Sequence, residues 1–327
     1  MKWAILATGT IARKFAGTVN AMAEAGEDQQ VIACASRSLE RAQAFADEFG
    51  IPRAYGSYEA MAADPDVEAV YIATPNTMHY ENAKMCLDAG KHVLCEKPFT
   101  TTKADAEELF ALARAKGLFI MEGFWIRFLP VHQKMMELIR NGEIGNVVFA
   151  RADFGFTANG ARRVRKFDPA LGGGAMLDIG VYNLGFLRMV MQDADPVSFS
   201  IVSHMSEYGT DDFSTVQLVY PGGRSANSTV SIGLVMPHTA AIFGTKGAIY
   251  YDEFQAASRI TVAPVDKEAY TYESPILFKG FEYQIREVER CVKAGMNSSD
   301  ILKPEDTIAI TGLMEDMLKE MAQQAEK

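Results

Sequence analysis

Trp3-Ala4-Ile5-Leu6-Ala7-Thr8-Gly9-Thr10-Ile11-Ala12 decides how this chain begins to fold. An apolar run, a glycine-bearing turn and the start of an amphipathic helix follow without a break. Such a run reads as a strand buried on both faces, and a helix directly after it as the first half of a βαβ unit. The pattern then repeats. Gln30–Ala35 is a second strand, and Ser38 caps a helix running to about Phe49, with Gly50 just past its end. Val70–Ala73 is a strand, and the helix from Glu81 to Ala89 ends at Gly90. Lys91–Cys95 is another strand, followed by a Lys103–Lys116 helix closed by Gly117. Leu118–Met121 completes this half. Strands alternating with helices imply a parallel sheet with crossover helices.

The turn itself carries chemistry. Ala7–Ala12 stands where a G-x-G-x-x-G/A fingerprint would, directly after the first strand and opening a helix. Ala7 occupies the usual place of the first glycine. Gly9, with Thr10 and Ile11, is placed to receive a pyrophosphate. At the end of the second strand, NAD-binding folds usually carry an acid for the ribose 2′-hydroxyl. Here the residues are Ser36-Arg37-Ser38, with Arg41 one turn further on. A carboxylate repels a 2′-phosphate, whereas Ser36, Arg37 and Arg41 bind one through charge-assisted hydrogen bonds. The expected cofactor is NADP, with NAD as the alternative. The bland reading makes both arginines solvated helix-start charges.

The second half has a different texture. Val131–Arg140 reads as a helix and Asn146–Asp153 as a strand. Gly172–Met191 reads as one glycine-opened helix with a mostly apolar face. From Pro196 to about Val265 come strands separated by turn signals such as Pro221-Gly222-Gly223, the pattern of a largely antiparallel sheet. Helices Phe281–Ala294 and Pro304–Gln323 finish the chain.

The chain has 327 residues, 48% of them hydrophobic, and a formal net charge of -10. That length suggests two domains. An acidic balance without a basic block argues against a nucleic-acid partner. Cys34, Cys86, Cys95 and Cys291 have no CxxC spacing, so reduced core thiols are expected, without disulfides or a metal site. No stretch reads as a transmembrane helix, and the first strand begins too early for a leader, so a cytoplasmic location away from membranes is expected.

Polar residues gather at the carboxyl ends of the strands, where open α/β sheets bind their ligands. Thr74-Pro75-Asn76 follows one strand, with His79 just beyond. Glu96-Lys97-Pro98 follows another; a lysine there is costly unless its charge is used, and Pro98 is a candidate for the cis form. In Gly172-Gly173-Gly174-Ala175-Met176-Leu177-Asp178-Ile179-Gly180-Val181-Tyr182, Asp178 and Tyr182 are four apart and share a helix face. Without other evidence these two read as structural, an acid satisfying a backbone donor and an anchored tyrosine. Arg162, Arg163, Arg165 and Lys166 form a basic cluster, by default a solvated loop, alternatively the seat of a phosphorylated or acidic substrate.

Glu96-Lys97-Pro98, Thr74-Pro75-Asn76 with His79, Trp125-x-Arg127 and the Gly-Gly-Gly-Ala-x-x-Asp-Ile-Gly-x-Tyr run together resemble the Gfo/Idh/MocA oxidoreductase family, over essentially the whole chain. Met121–Phe128 and the closing tyrosine are most similar to the dimeric dihydrodiol dehydrogenase and NADP-dependent xylose dehydrogenase branch; many other members end the motif in histidine. The resemblance implies an α/β protein with an N-terminal Rossmann NADP-binding domain, residues 1–122. A C-terminal α+β domain with a large, mostly antiparallel sheet, residues 123–327, would bind substrate and form a homodimer or homotetramer. It implies hydride transfer between nicotinamide and a secondary alcohol or hemiacetal carbon of a sugar, polyol or cyclic trans-diol. Tyr182 is the expected acid/base, Lys97 the ammonium that favours its phenolate, and Asp178 the group orienting substrate or lysine. Thr74, Asn76, His79, Glu96, Lys97, Trp125 and Arg127 are expected around the cofactor, His79 also toward substrate. A glycoside-cleaving relative and a non-catalytic cofactor-binding regulator are the alternatives.

Overall fold

The computed structural model describes residues 1–192 and 194–325; the side chains of Ala161, Arg162 and Ala325 lie outside the described residues. By its internal contacts the chain falls into two compact units. One takes in Met1–Trp125 and Leu277–Ile308, the other Ile126–Ile276 and Ala309–Lys327. The expected 123–327 span is thus shared between the two.

The first unit opens with β1 (Lys2–Leu6), α1 (Thr10–Glu24), β2 (Gln30–Ala35), α2 (Leu39–Phe49), β3 (Arg53–Tyr55) and α3 (Tyr58–Ala62). It continues with β4 (Ala69–Ile72), α4 (His79–Asp88), β5 (His92–Glu96), α5 (Lys103–Lys116) and β6 (Ile120–Gly123). The six strands are parallel, in the order β3-β2-β1-β4-β5-β6. The order reverses between β1 and β4, so their carboxyl ends open a crevice. The helices start where side chains cap them: Ser38, Ser57 and Thr102 accept the N–H groups of Arg41, Ala60 and Asp105. Each such cap is worth about 1 kcal/mol. Trp3 to Leu6 are fully buried, and Phe15 of α1 stacks on Tyr71 of β4 at 3.9 Å. The short β3 and α3 were not expected from sequence, because three and five residues show too little periodicity.

The second unit holds α6 (Pro130–Arg140), β7 (Val147–Gly155), α7 (Ala161–Phe167), α8 (Val181–Val190), β8 (Ser198–Met205), β9 (Asp211–Val219) and β10 (Ser225–Ser231). Then follow β11 (Ala240–Gly244), β12 (Gly247–Tyr251), β13 (Arg259–Pro264) and β14 (Tyr270–Glu273). These strands form one sheet, β14-β13-β12-β11-β7-β10-β9-β8. Only β7 and β10 run parallel; the other neighbours are antiparallel. α8 packs on one sheet face. Its fully buried Asn183 donates to the Ala152 carbonyl (2.7 Å), the Ser228 hydroxyl (3.0 Å) and the Thr229 carbonyl (3.1 Å).

The single helix expected over Gly172–Met191 is instead a π turn, Met176–Gly180, running into α8. Gly174 has φ +112, outside any helix, and delays its start. A second correction concerns length: Pro169–Val190 is long and apolar enough to cross a membrane, but 78% of its window is buried within the protein. It is a core segment.

Helices α9 (Glu282–Lys293) and α10 (Pro304–Ala325) end the chain. The first unit regains α9 through Arg286, which forks onto Glu27 at 2.6 and 3.0 Å, and Glu289, which accepts from Gln29 at 2.7 Å. All four cysteines are free and buried.

Candidate active site

At the carboxyl ends of β1, β2 and β4 lies a cavity of about 580 Å³, lined by Gly9, Ser36, Arg37, Arg41, Tyr58 and Met78 among others. Gly9 precedes the amino terminus of α1, and no side chain caps it. The first turn of α1 has no acid, and the helix begins directly after Gly9, which lines the cavity, so the positive end of the helix dipole lies next to it. A Cβ on Gly9 would meet no atom within 4 Å. Thr10 is exposed and Ile11 half-buried on the same turn. The fingerprint's first position has an unexpected cost: Ala7 takes φ +77, a left-handed conformation that favours glycine.

Arg37 and Arg41 are exposed and Ser36 is half-buried. No carboxylate is among the described lining residues. Tyr58 was missed in the sequence, since a tyrosine at the start of a five-residue helix carries no signal. Burial pushes its phenol pKa up, and the neighbouring Arg37 guanidinium opposes this. An open glycine turn, a helix amino terminus and two arginines without an acid suit a dinucleotide bearing an extra phosphate.

Next along the sheet, Thr74 is buried and its hydroxyl accepts from Asn82 at 3.2 Å. Asn76 opens a 3₁₀ turn and is half-buried. His79 does not reach the crevice. Its ring is fully buried between the Pro98 carbonyl (Nδ1, 2.8 Å) and the Thr74 carbonyl (Nε2, 3.0 Å). Burial lowers its pKa, against the pull of those carbonyls. A neutral imidazole has one N–H, so one of the two carbonyls accepts from it and the other lies against the unprotonated nitrogen; the ring is enclosed between the two loops.

Glu96 is buried, bonded to the Tyr71 hydroxyl and to the Lys97 backbone N–H (3.3 Å). Burial raises its pKa while Tyr71, Lys97 and Lys14 oppose. The Lys97–Pro98 peptide is cis. Lys97 is half-buried at this strand end. Trp125 is buried against Phe281 (5.7 Å), and Lys14 Nζ sits 4.1 Å from both ring centres. Burial brings the Lys14 pKa down to about 8 although Glu96 and Glu282 pull it up. Sequence reasoning missed Lys14, which looks like any helix-surface lysine.

Arg127 belongs to the second unit, buried, its carbonyl accepting from Gln133. In that unit Asp178 sits in the π turn and Tyr182 in the first turn of α8, both half-buried. The Tyr182 ring packs edge-on against Phe154 at 5.9 Å, and Phe154 also meets His238 at 4.7 Å. Asp178 forms an ion pair with Lys166 of α7, and Arg163 pairs with Glu207 at 3.3 Å. Two members of the basic cluster therefore have acidic partners, Lys166 in a partly buried pair and Arg163 in an exposed one; the Arg162 side chain lies outside the described residues. Among the described residues no group of three His, Cys, Asp or Glu is placed to hold a metal.

Residues 1–124 match the family described as "Oxidoreductase family, NAD-binding Rossmann fold", and residues 132–250 match its "GFO/IDH/MocA C-terminal domain". A mouse trans-1,2-dihydrobenzene-1,2-diol dehydrogenase is 36% identical, over 98% of this chain and 96% of its own. Among solved structures, an aldose–aldose oxidoreductase from Caulobacter crescentus, complexed with glycerol, superposes with a TM-score of 0.87. It is 26% identical, over 99% of this chain and 98% of its own. A 3-ketoreductase from Actinomadura kijaniata, complexed with NADP and TDP-benzene, has a TM-score of 0.84 and 27% identity, over 96% of both chains.

Proposed function

The chain belongs to the Gfo/Idh/MocA oxidoreductase family, and within it we propose an NADP-dependent dehydrogenase acting on a secondary alcohol or hemiacetal carbon of a sugar, polyol or cyclic trans-diol. The observation that carries NADP is the cavity at the ends of β1, β2 and β4, with Gly9 at one side and Ser36, Arg37 and Arg41 at another. The diol-dehydrogenase name of the mouse relative and the aldose in the name of the Caulobacter enzyme support the substrate class.

Nicotinamide, when bound, supplies the hydride acceptor or donor. Tyr182 is assigned the substrate hydroxyl proton: it takes the proton in oxidation and returns it in reduction. A free phenol titrates near ~10, so the assignment requires a cationic neighbour in the working site. Lys97 is assigned a hydrogen bond to the reacting oxygen, and Asp178 the orientation of the substrate. Thr10 and Ile11 offer their backbone N–H groups to the pyrophosphate. Thr74, Asn76, Glu96, Trp125 and Arg127 are assigned to the nicotinamide side.

We further propose a homodimer or homotetramer formed through the open face of the C-terminal sheet. Strand alternation puts Phe149, Val202, Val219, Phe243 and Tyr250 on that one face. Val202 is 66% exposed and Tyr250 42%, so the face lacks a cover within the chain. Four buried free thiols support a reducing, cytoplasmic setting.

Initial rates with trans-1,2-dihydrobenzene-1,2-diol and D-xylose, each with NADP⁺ and NAD⁺, test the function. NADP⁺ is expected to give the higher kcat/KM. Arg37→Glu should cut the NADP⁺ value by about 100-fold, the loss of a charge-assisted phosphate contact, and leave the NAD⁺ value near its original level. Equal use of the two cofactors by the unmodified enzyme would sink the NADP reading.

A further inference from the structure

The turn Gly172–Gly174 hangs on a carboxylate that no sequence motif pointed to. Asp211, the first residue of β9, is 2% exposed. Its Oδ2 accepts the Met176 backbone N–H at 2.9 Å and the Ser214 hydroxyl at 2.7 Å. Met176 is the first residue of the π turn, so this bond satisfies a donor that the helix cannot. The other oxygen occupies the place a side chain would need at Gly174: a Cβ there would stand 2.5 Å from Asp211 Oδ1. The Gly174 carbonyl in turn accepts the Asp178 N–H at 3.0 Å, and its N–H donates to the Lys166 carbonyl at 2.8 Å. Thr210, next to Asp211, donates to the Phe167 carbonyl at 2.8 Å. The start of β9 thus grips the turn, the end of α7 and the first residue of the π turn together. Asp178 lies two residues beyond the gripped N–H and Tyr182 six beyond it, on one continuous helical segment.

We propose that Asp211 is a positioning residue, whose grip on Met176 and Gly174 sets where Asp178 and Tyr182 stand. It rests on the reading of Tyr182 as the proton-transfer group. Asp211 touches neither reacting residue; it fixes the backbone both are mounted on. A displacement of about 1 Å at a reacting group costs on the order of 100-fold in rate, so the effect belongs in kcat.

The test uses the full-length enzyme with NADP⁺ and trans-1,2-dihydrobenzene-1,2-diol. Asp211→Ala is expected to lower kcat about 100-fold with the KM for NADP⁺ unchanged. Asp211→Asn should recover to within about tenfold, because its amide oxygen can still accept the Met176 N–H. If Asp211→Ala does not fold, Ser214→Ala replaces it, with an expected loss of about tenfold in kcat. In a Tyr182→Phe background each substitution should cost much less than in the unmodified enzyme, leaving only the share that acts through Asp178. A slow Tyr182→Phe enzyme in which the Asp211 loss is fully additive overturns the Asp211 proposal alone. A Tyr182→Phe enzyme with normal turnover overturns the proton-transfer reading and this proposal with it.

Discussion

Two glycine turns, at Gly9 and at Gly172–Gly174, lead into helices, and glycine is there for opposite reasons. At Gly9 a Cβ would meet nothing within 4 Å. The space is open, as the proposed cofactor site requires, and the helix amino terminus behind it has neither an acid in its first turn nor a side-chain cap. At Gly173 a Cβ would stand 2.7 Å from the Lys166 carbonyl oxygen and 2.8 Å from the Asp168 nitrogen. That space is filled by the protein's own backbone. One turn is a cradle and the other a clamp. The same residue type therefore says nothing until its neighbourhood is known.

Gly173→Ala should separate the two most sharply. The atoms it would strike are backbone, and they are fixed by the Gly173 N–H to Asp168 carbonyl bond (2.9 Å) and the Gly174 N–H to Lys166 carbonyl bond (2.8 Å). Overpacking against atoms that cannot yield costs about 3 kcal/mol. Urea denaturation should show that loss, and an unchanged midpoint would mean the turn is not a clamp.

At the β6 edge of the sheet that carries the Gly9 turn, Glu122 tests the packing of the first unit. It is buried in β6, accepting the Phe99 N–H (3.1 Å) and the Thr307 hydroxyl (3.0 Å). Burial raises its pKa from 4.5 to about 7, with Glu96 adding to the rise. The native state holds this proton more tightly than the unfolded chain does. The stabilisation is therefore complete below about pH 4.5 and is lost as pH rises through about 7. A gap of that size corresponds to about 3 kcal/mol, distributed across the window. Glu122→Gln should flatten it; denaturation at pH 5 and pH 8 in both proteins is the measurement. Equal pH dependence in the two would show that Glu122 titrates normally.

How far the sequence could be read follows the same division between cradle and clamp. Local signals gave most of the first unit, but not its short β3 and α3 or the return of Leu277–Ile308. Apolar runs marked the other strands, and Ser38, Gly50 and Gly117 marked helix ends where they occur. That Gly9, Ser36, Arg37 and Arg41 line one cavity was legible too, because a fingerprint and the residues after β2 are both short-range patterns. The clamp was not. Asp211 lies more than thirty residues from the turn it holds, and an Asp-Asp pair in a turn region has a bland explanation. The π turn was invisible because an expected i,i+4 pairing presumes the ordinary helix that Gly174 and Asp211 prevent from starting. Lys166 and Asp178 were both singled out but not joined, since α7 is only seven residues long. His79 was misplaced for a related reason. Sequence put it beside the crevice, and only the fold shows its ring fully buried between two backbone carbonyls.

Gly9→Ala should have a smaller effect of a different kind. The backbone at Gly9, φ −81 and ψ −173, is extended and open to any residue. The melting temperature should not move. Affinity for NADPH should fall about tenfold, equivalent to about 1.4 kcal/mol, because the methyl takes space meant for the ligand. Fluorescence titration of NADPH reads this directly. A lowered melting temperature with unchanged affinity would make the first turn structural and erase the contrast.

The smallest effect is expected two residues earlier, and it runs the other way. Ala7 sits at φ +77 in the turn whose family pattern begins with glycine. A left-handed alanine costs about 1–2 kcal/mol. Replacing it with glycine removes that cost but frees the unfolded chain, which offsets about 0.4–1 kcal/mol. The balance is a gain of about 0.5–1 kcal/mol, close to the resolution of a careful thermal melt. Ala7→Gly should thus stabilise the protein slightly while leaving NADPH affinity alone, since Ala7 N–H already bonds the Ala35 carbonyl at 2.9 Å and keeps the turn in place. A gain in affinity instead would mean the alanine methyl intrudes on the ligand, and the openness ascribed to Gly9 would have to extend to Ala7 as well.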